Sequence, residues 1–172
     1  MNEVTNTILQ RRSIRSYRNE QITEDQLNTI LLAGEYAPSG MGEQATMMVA
    51  VQDPEIIAKM SGLNAAVMGA DTDPFYGAPT VIVVFADKDR ITCVEDGSLV
   101  IGSMMLAAAS IDVDSCWIHR AKETFETEDG RELKQKWGVP DNYIGVGNCI
   151  LGYRDGELPQ AAARKPGRIV RV

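Results

Sequence analysis

The 172-residue chain holds one histidine, three cysteines and few aromatic residues, 6% in all. A single imidazole, His119, cannot build a histidine-rich metal site. Grouping it with Cys116 and scattered acids gives poor zinc spacing, so no metal is expected. Cys93, Cys116 and Cys149 are far apart, odd in number and lack a CxxC pair. That argues against a disulfide scaffold or a thioredoxin-like site and fits a reducing cytoplasm. No stretch reaches 18 uncharged apolar residues. The longest candidate, residues 98–111, is short and rich in small side chains, so no membrane span is expected. The first residues show no apolar run after a basic one, so no secretory leader is expected. The Walker A sequence, a GxGxxG opening a helix and the GxSxG elbow are all missing, and Gly145-Val146-Gly147 is only a fragment inside a strand pattern. Ser13 and Ser39 have no local histidine, which leaves a serine triad without support.

What is present is the composition of one ordinary domain over residues 1–172, with 44% hydrophobic and 24% charged residues. The net charge of -7 argues against broad nucleic-acid binding. Its distribution says more. Residues 1–18 carry four arginines against one acid. Residues 154–172 carry five basic groups against two acids, and the middle carries eight against 21. Two basic ends flank an acidic middle, read either as solvated termini or as two ends meeting at one small anion.

The periodicities predict an α+β order. A short helix covers Val4 to Gln10. Thr23, with Gln26 three residues on, reads as a capping box before a helix that stops at Pro38-Ser39-Gly40. Ala45 to Val51 reads as a strand, Asp53-Pro54 as a helix start, and Ala65 to Ala78 mostly as loop. Thr80 to Ala86 is apolar throughout, the pattern of a central strand covered on both faces. Glu95 to Ile111 reads as a buried helix whose small residues permit close approach. A short strand at Ser115–Ile118, an exposed helix from Lys122 to Trp137 that Asp129-Gly130 could break, and a Gly-rich strand from Tyr143 to Tyr153 follow. The tail, 159–172, ends in alternating apolar residues that want a sheet edge, its own or a partner's.

The most informative segment is Arg11-Arg12-Ser13-Ile14-Arg15. If it is extended, alternation puts Arg11, Ser13 and Arg15 on one side. Two forked guanidiniums and a hydroxyl make a compact phosphate-binding set, which Arg164-Lys165 could complete.

These residues also carry a resemblance. The Arg11–Arg15 segment is similar to the opening motif of the FMN-dependent nitroreductase family. Ala37-Pro38-Ser39-Gly40, the strand in Ala78-Pro79-Thr80-Val81-Ile82-Val83-Val84, the helix from Glu95 with the strand Ser115-Cys116-Trp117-Ile118, and Gly152-Tyr153 followed by Arg164-Lys165-Pro166 resemble its later segments in order. The resemblance implies a three-layer α+β fold with a mostly antiparallel sheet, and a homodimer in which each tail reaches over the partner. It implies bound FMN, reduced by NADH or NADPH and reoxidised by a nitroaromatic or quinone-like acceptor in ping-pong order. It places Arg11, Ser13 and Arg15 along the FMN phosphate and ribityl chain, with Arg12 also near the flavin and Arg164 and Lys165 approaching the phosphate. Pro38, Ser39 and Gly40 fall near the ring, and Ile118, His119 and Arg120 near the flavin N5, where a backbone N–H commonly contacts the ring. The family often has asparagine where this chain has Gly42; Gln44 or backbone would have to substitute. Met41, Phe75 and Tyr76 are candidates for lining the substrate pocket, although Phe75 and Tyr76 read equally as loop residues anchored to the core; His119 is a candidate proton donor or else a packing or surface residue. A flavin-binding or flavin-delivery protein with little turnover is the alternative reading. Neither nucleic acid nor membrane is expected as a partner.

Overall fold

A computed structural model describes all of residues 1–172. The element order is α1 (Glu3–Gln10), α2 (Glu24–Glu35), a single 3₁₀ turn (Gly40–Gly42), β1 (Thr46–Val51), α3 (Pro54–Met68), β2 (Thr80–Asp87), α4 (Cys93–Ser110), β3 (Asp114–Ile118), α5 (Ala121–Glu126), α6 (Glu128–Lys136) and β4 (Tyr143–Gly152). The sheet order is β1-β2-β4-β3, antiparallel at every pairing. Helices cover both of its faces, so this is an α+β fold.

The unbroken apolar run of β2 follows from that layering. Val81, Val83 and Phe85 point into a core shared with Met60, Phe75, Phe125 and Leu133. Ile82 and Val84 point the other way, toward Ile30, Val100, Ile101 and Met104. A strand buried on both faces has no polar position to alternate with. By length and hydropathy α4 alone could cross a bilayer. Here it lies on the sheet, with Val100, Ile101, Met104, Met105 and Ala108 buried.

The helix starts read from sequence are present. Thr23 and Gln26 form a reciprocal capping box, and Asp53 caps α3 ahead of Pro54. Three boundaries differ. First, α3 continues through Ala65 to Met68 and stops only at Gly69, which takes the left-handed conformation (φ 69°). The stretch after Asn64 contains no breaker until that glycine. Second, the 122–137 region is two helices, parted at Thr127 rather than at Asp129-Gly130. Thr127 is extended (ψ 162°) and its side chain accepts from the Gly130 N–H. Gly130 lies inside α6 because any side chain there would strike the Thr124 carbonyl. Third, α4 starts at Cys93 rather than Glu95, and its Gly97 lies against the sheet. A Cβ on Gly97 would fall 2.6 Å from Val146, at the bulge where β4 slips register against β2.

The outer edge of β3 is covered by the chain's own beginning. Ser13 bridges Ser115, the Ile14 N–H donates to the Ser115 carbonyl at 3.1 Å, and the Arg18 N–H donates to Tyr153 at 2.8 Å. The tail beyond Arg154 is exposed, and its alternating end pairs with no strand of its own chain.

Candidate active site

The site is built along that covered edge. Residues 11–15 run beside β3, and Arg11, Ser13 and Arg15 all act on the titration of one thiol, Cys116. Burial pushes the Cys116 thiol up, while Arg15, a hydrogen bond with Ser13 and Arg11 pull it back. Cys149, on the other face of the sheet, is pushed up to about 12 by burial, with Arg11 again pulling against it. The Tyr17 phenol is also raised, first by burial, and its hydroxyl donates to the Ile14 carbonyl at 3.0 Å, which closes the segment on itself.

Arg11 and Arg12 are used differently. Arg11 lines a polar cavity of about 150 Å³ between α1, the start of β3 and the base of the tail, together with Ser115, Asp114 and Arg154. Its Nη1 is buried there with no hydrogen-bond partner, and so is the Ser115 hydroxyl. Buried donors left unpaired cost free energy, so their presence at one place calls for an acceptor. Arg12 instead closes the end of α1. Its Nη1 donates to the carbonyls of Leu9, Gln10 and Arg11, and its Nε donates to Pro159 at 3.1 Å. The guanidinium thereby satisfies terminal helix carbonyls and pins the root of the tail. Arg164 and Lys165 lie further along that tail and are exposed.

A second segment follows α2. Pro38, Ser39, Gly42 and Gln44 line a broad open groove of about 1060 Å³, floored by Met47 and Met48 and flanked by Tyr36. Its loop is tightly wound: Met41 (φ 53°), Gly42 (φ 70°) and Gln44 (φ 52°) are all left-handed. Such backbone persists in side-chain-bearing residues only where contacts hold it. Here the Ser39 hydroxyl accepts from the Gln44 N–H at 3.0 Å, and buried Asp96 accepts from the Gly40 N–H at 3.0 Å and from the Thr92 hydroxyl. Met41 projects almost wholly into solvent.

The third segment is the β3–α5 turn. Ile118 is buried, His119 exposed, and Arg120 takes φ 71°. Asn64 of α3 donates to the His119 carbonyl at 2.8 Å and accepts from Arg120 Nε at 3.2 Å. Asn148 of β4 donates to the Ile118 carbonyl at 3.4 Å.

The pocket reading of Phe75 does not hold. Phe75 is fully buried in the core, and only Tyr76 is exposed. The reason is local. The Asp73 carboxylate accepts from the N–H groups of Phe75 and Gly77, winding a turn that sends the two rings in opposite directions. Asp96, Asn64 and Ser115 were not singled out by sequence. Asp96 had a weak signal as an acid in the first turn of a helix; the other two had none.

The chain belongs to the nitroreductase family, whose model matches residues 8–153. A putative NADH dehydrogenase/NAD(P)H nitroreductase of Archaeoglobus fulgidus is 31% identical over 159 residues, covering 89% of this chain and 86% of that protein. The crystal structure of a nitroreductase with bound FMN from Bacteroides fragilis superposes with a TM-score of 0.93 at 33% identity, covering all of both chains. One from Desulfitobacterium hafniense, also with bound FMN, gives 0.90 at 26% identity over 100% of this chain and 99% of that one. The general activity is that of this family, an oxidoreductase.

Proposed function

We propose that the protein holds FMN and uses NADH or NADPH to reduce nitroaromatic, quinone-like or related small acceptors. The observation that carries this reading is the Arg11 Nη1, buried without a hydrogen-bond partner in a cavity that the equally unpartnered Ser115 hydroxyl also lines. These residues fit a phosphate ester: forked, permanently charged donors and a short hydroxyl donor. Arg11, Ser13 and Arg15 would take the phosphate and ribityl chain, and Arg164 and Lys165 would close over the phosphate from the tail. The Ile118–Arg120 turn would meet the ring edge. Pro38, Ser39, Gly40, Gly42 and Gln44 would come from a second copy, with Gln44 or backbone standing in for the amide absent at Gly42.

Held by these residues, FMN would supply the two-electron chemistry between nicotinamide and acceptor. The chain's part is to fix one ring face, exclude competing positions and supply positive charge near the reduced ring through Arg15. His119 is exposed on the turn, where it can exchange protons with water. A homodimer is supported by the apolar side chains left at the surface around the groove and α4. Met41 is 91% and Ile91 98% exposed, and Tyr36 and Leu99 are exposed as well.

The deciding experiment is an anaerobic visible spectrum of protein loaded with FMN and freed of excess, before and after NADH or NADPH. Retained flavin that bleaches rapidly supports the reading. Retained flavin that bleaches very slowly favours a flavin-binding or delivery protein, and no retained flavin removes the cofactor assignment.

A further inference from the structure

The β3–α5 turn is held from inside by two buried asparagines. Asn64 is completely buried and Asn148 is 1% exposed. Their amides donate to consecutive carbonyls, Asn148 to Ile118 and Asn64 to His119. The trans peptide unit is planar, with its C=O and N–H pointing in opposite directions. Pinning the His119 carbonyl inward therefore turns the Arg120 N–H outward, and that N–H finds no backbone acceptor. The same Asn64 side chain accepts from Arg120 Nε. One carboxamide thus grips both ends of a residue in the left-handed region (φ 71°, ψ 16°), a conformation that surrounding contacts must impose.

We infer that Asn64 is a positioning residue for the cofactor site: by anchoring the His119 carbonyl it aims the Arg120 N–H at the reacting nitrogen of the flavin. The inference rests on the FMN reading above. It also gives α3 a role, since the last turns of that helix deliver Asn64 beneath the turn.

The side chain's chemistry makes the test sharp. Asn64→Asp is nearly isosteric and keeps the acceptor for Arg120 Nε, but replaces the donor facing the His119 carbonyl with an oxygen. Asn64→Ala removes both contacts. A donor on N5 favours the oxidised flavin, whose N5 accepts, over the reduced flavin, whose N5 carries hydrogen. Both variants should therefore bind oxidised FMN several-fold more weakly than wild type, keep their affinity for reduced FMN, and shift the midpoint potential of the bound flavin to more positive values. A purely structural Asn64 would lower the melting temperature and leave the potential and the ratio of the two affinities unchanged, which would overturn the inference.

Amide exchange of the wild-type protein provides a test that needs no variant. The Arg120 N–H should exchange fast without FMN and slowly with it. An Arg120 amide indifferent to bound FMN would also overturn the inference. Failure of the underlying reading is distinguishable, because wild-type protein would then retain no flavin at all.

Discussion

Asp96 and Gly40, 56 residues apart, meet where the first turn of α4 receives the loop after α2: the buried carboxylate accepts the Gly40 N–H at 3.0 Å. Its second oxygen takes the Thr92 hydroxyl at 3.1 Å. A carboxylate at a helix N-terminus is favourable in itself, and this one also fastens the strained groove loop. Asp96→Ala leaves two half-buried donors without their acceptor and should cost roughly 1 kcal/mol, read as a lower midpoint in urea unfolding. Asp96→Asn keeps an acceptor for one donor and should cost less. Equal stability of all three proteins would remove the loop-fastening role.

Arg11 should separate stability from binding. Its buried, unpartnered Nη1 is a cost to the FMN-free protein, so Arg11→Ala should leave the melting temperature without FMN unchanged or raised. FMN affinity should fall by about 10- to 100-fold, the worth of a charged hydrogen bond of roughly 1.5–3 kcal/mol. The double variant with Arg15→Ala should bind still more weakly and sediment like wild type. Flavin titration and sedimentation velocity check both halves; unchanged affinity would contradict the use assigned to this motif.

Gly145 is a packing requirement of the turn. A Cβ there would lie 2.6 Å from the backbone of Ala121, the first residue of α5. Gly145→Ala must push α5 off β4, at a cost of about 1–3 kcal/mol typical of overpacking. Because α5 begins next to Arg120, the same change should weaken FMN binding, whereas Gly62→Ala, with open space around it, should not. Thermal unfolding and flavin titration of the two variants side by side make the comparison.

Alkaline pH should destabilise the fold through three groups. Cys116, Cys149 and Tyr17 are all raised, each chiefly by burial, Cys149 to about 12. Each therefore keeps its proton in the folded state at a pH where the unfolded chain releases it. Their contribution is complete below about pH 8.5. It falls as pH rises beyond that, by up to about 1.4 kcal/mol per pH unit for each group ionised in the unfolded chain. Denaturant titrations at pH 8 and pH 10 should show the drop, and Cys116→Ser with Cys149→Ser should flatten it. Native protein should also expose Cys93 to thiol reagents well before the other two, which are buried.

Much of this architecture was legible because local rules and tertiary packing agree. Thr23 and Asp53 cap the helices they were expected to cap, and β2 was visible as an apolar run needing cover on both faces. The Arg11–Arg15 segment was legible as a functional feature, and alternation already set Arg12 apart from Arg11, Ser13 and Arg15; what Arg12 does instead was not legible. Nothing in the segment says that its guanidinium closes a helix; the path of the tail at Pro159 decides that. Phe75 was left open between pocket and core, because nothing in the loop sequence shows that the Asp73 turn winds it inward. Asn64 was illegible for a deeper reason. Its partners lie 55 and 56 residues away, and a polar residue within an apolar helix pattern carries no mark of what it will meet.

The sheet order has a consequence for how the chain is made. β4, the last strand in sequence, lies between β2 and β3 and is the only strand that joins them. As the chain leaves the ribosome, β1 and β2 can pair early, but β3 cannot join their sheet until β4 has emerged. From residue 87 until β4 is made, then, one long edge of β2 stands unpaired. Long-range strand pairing is slow and such edges invite association. The nascent chain should therefore depend on chaperone shielding until its final fifth is available, and truncations before β4 should aggregate rather than fold in part.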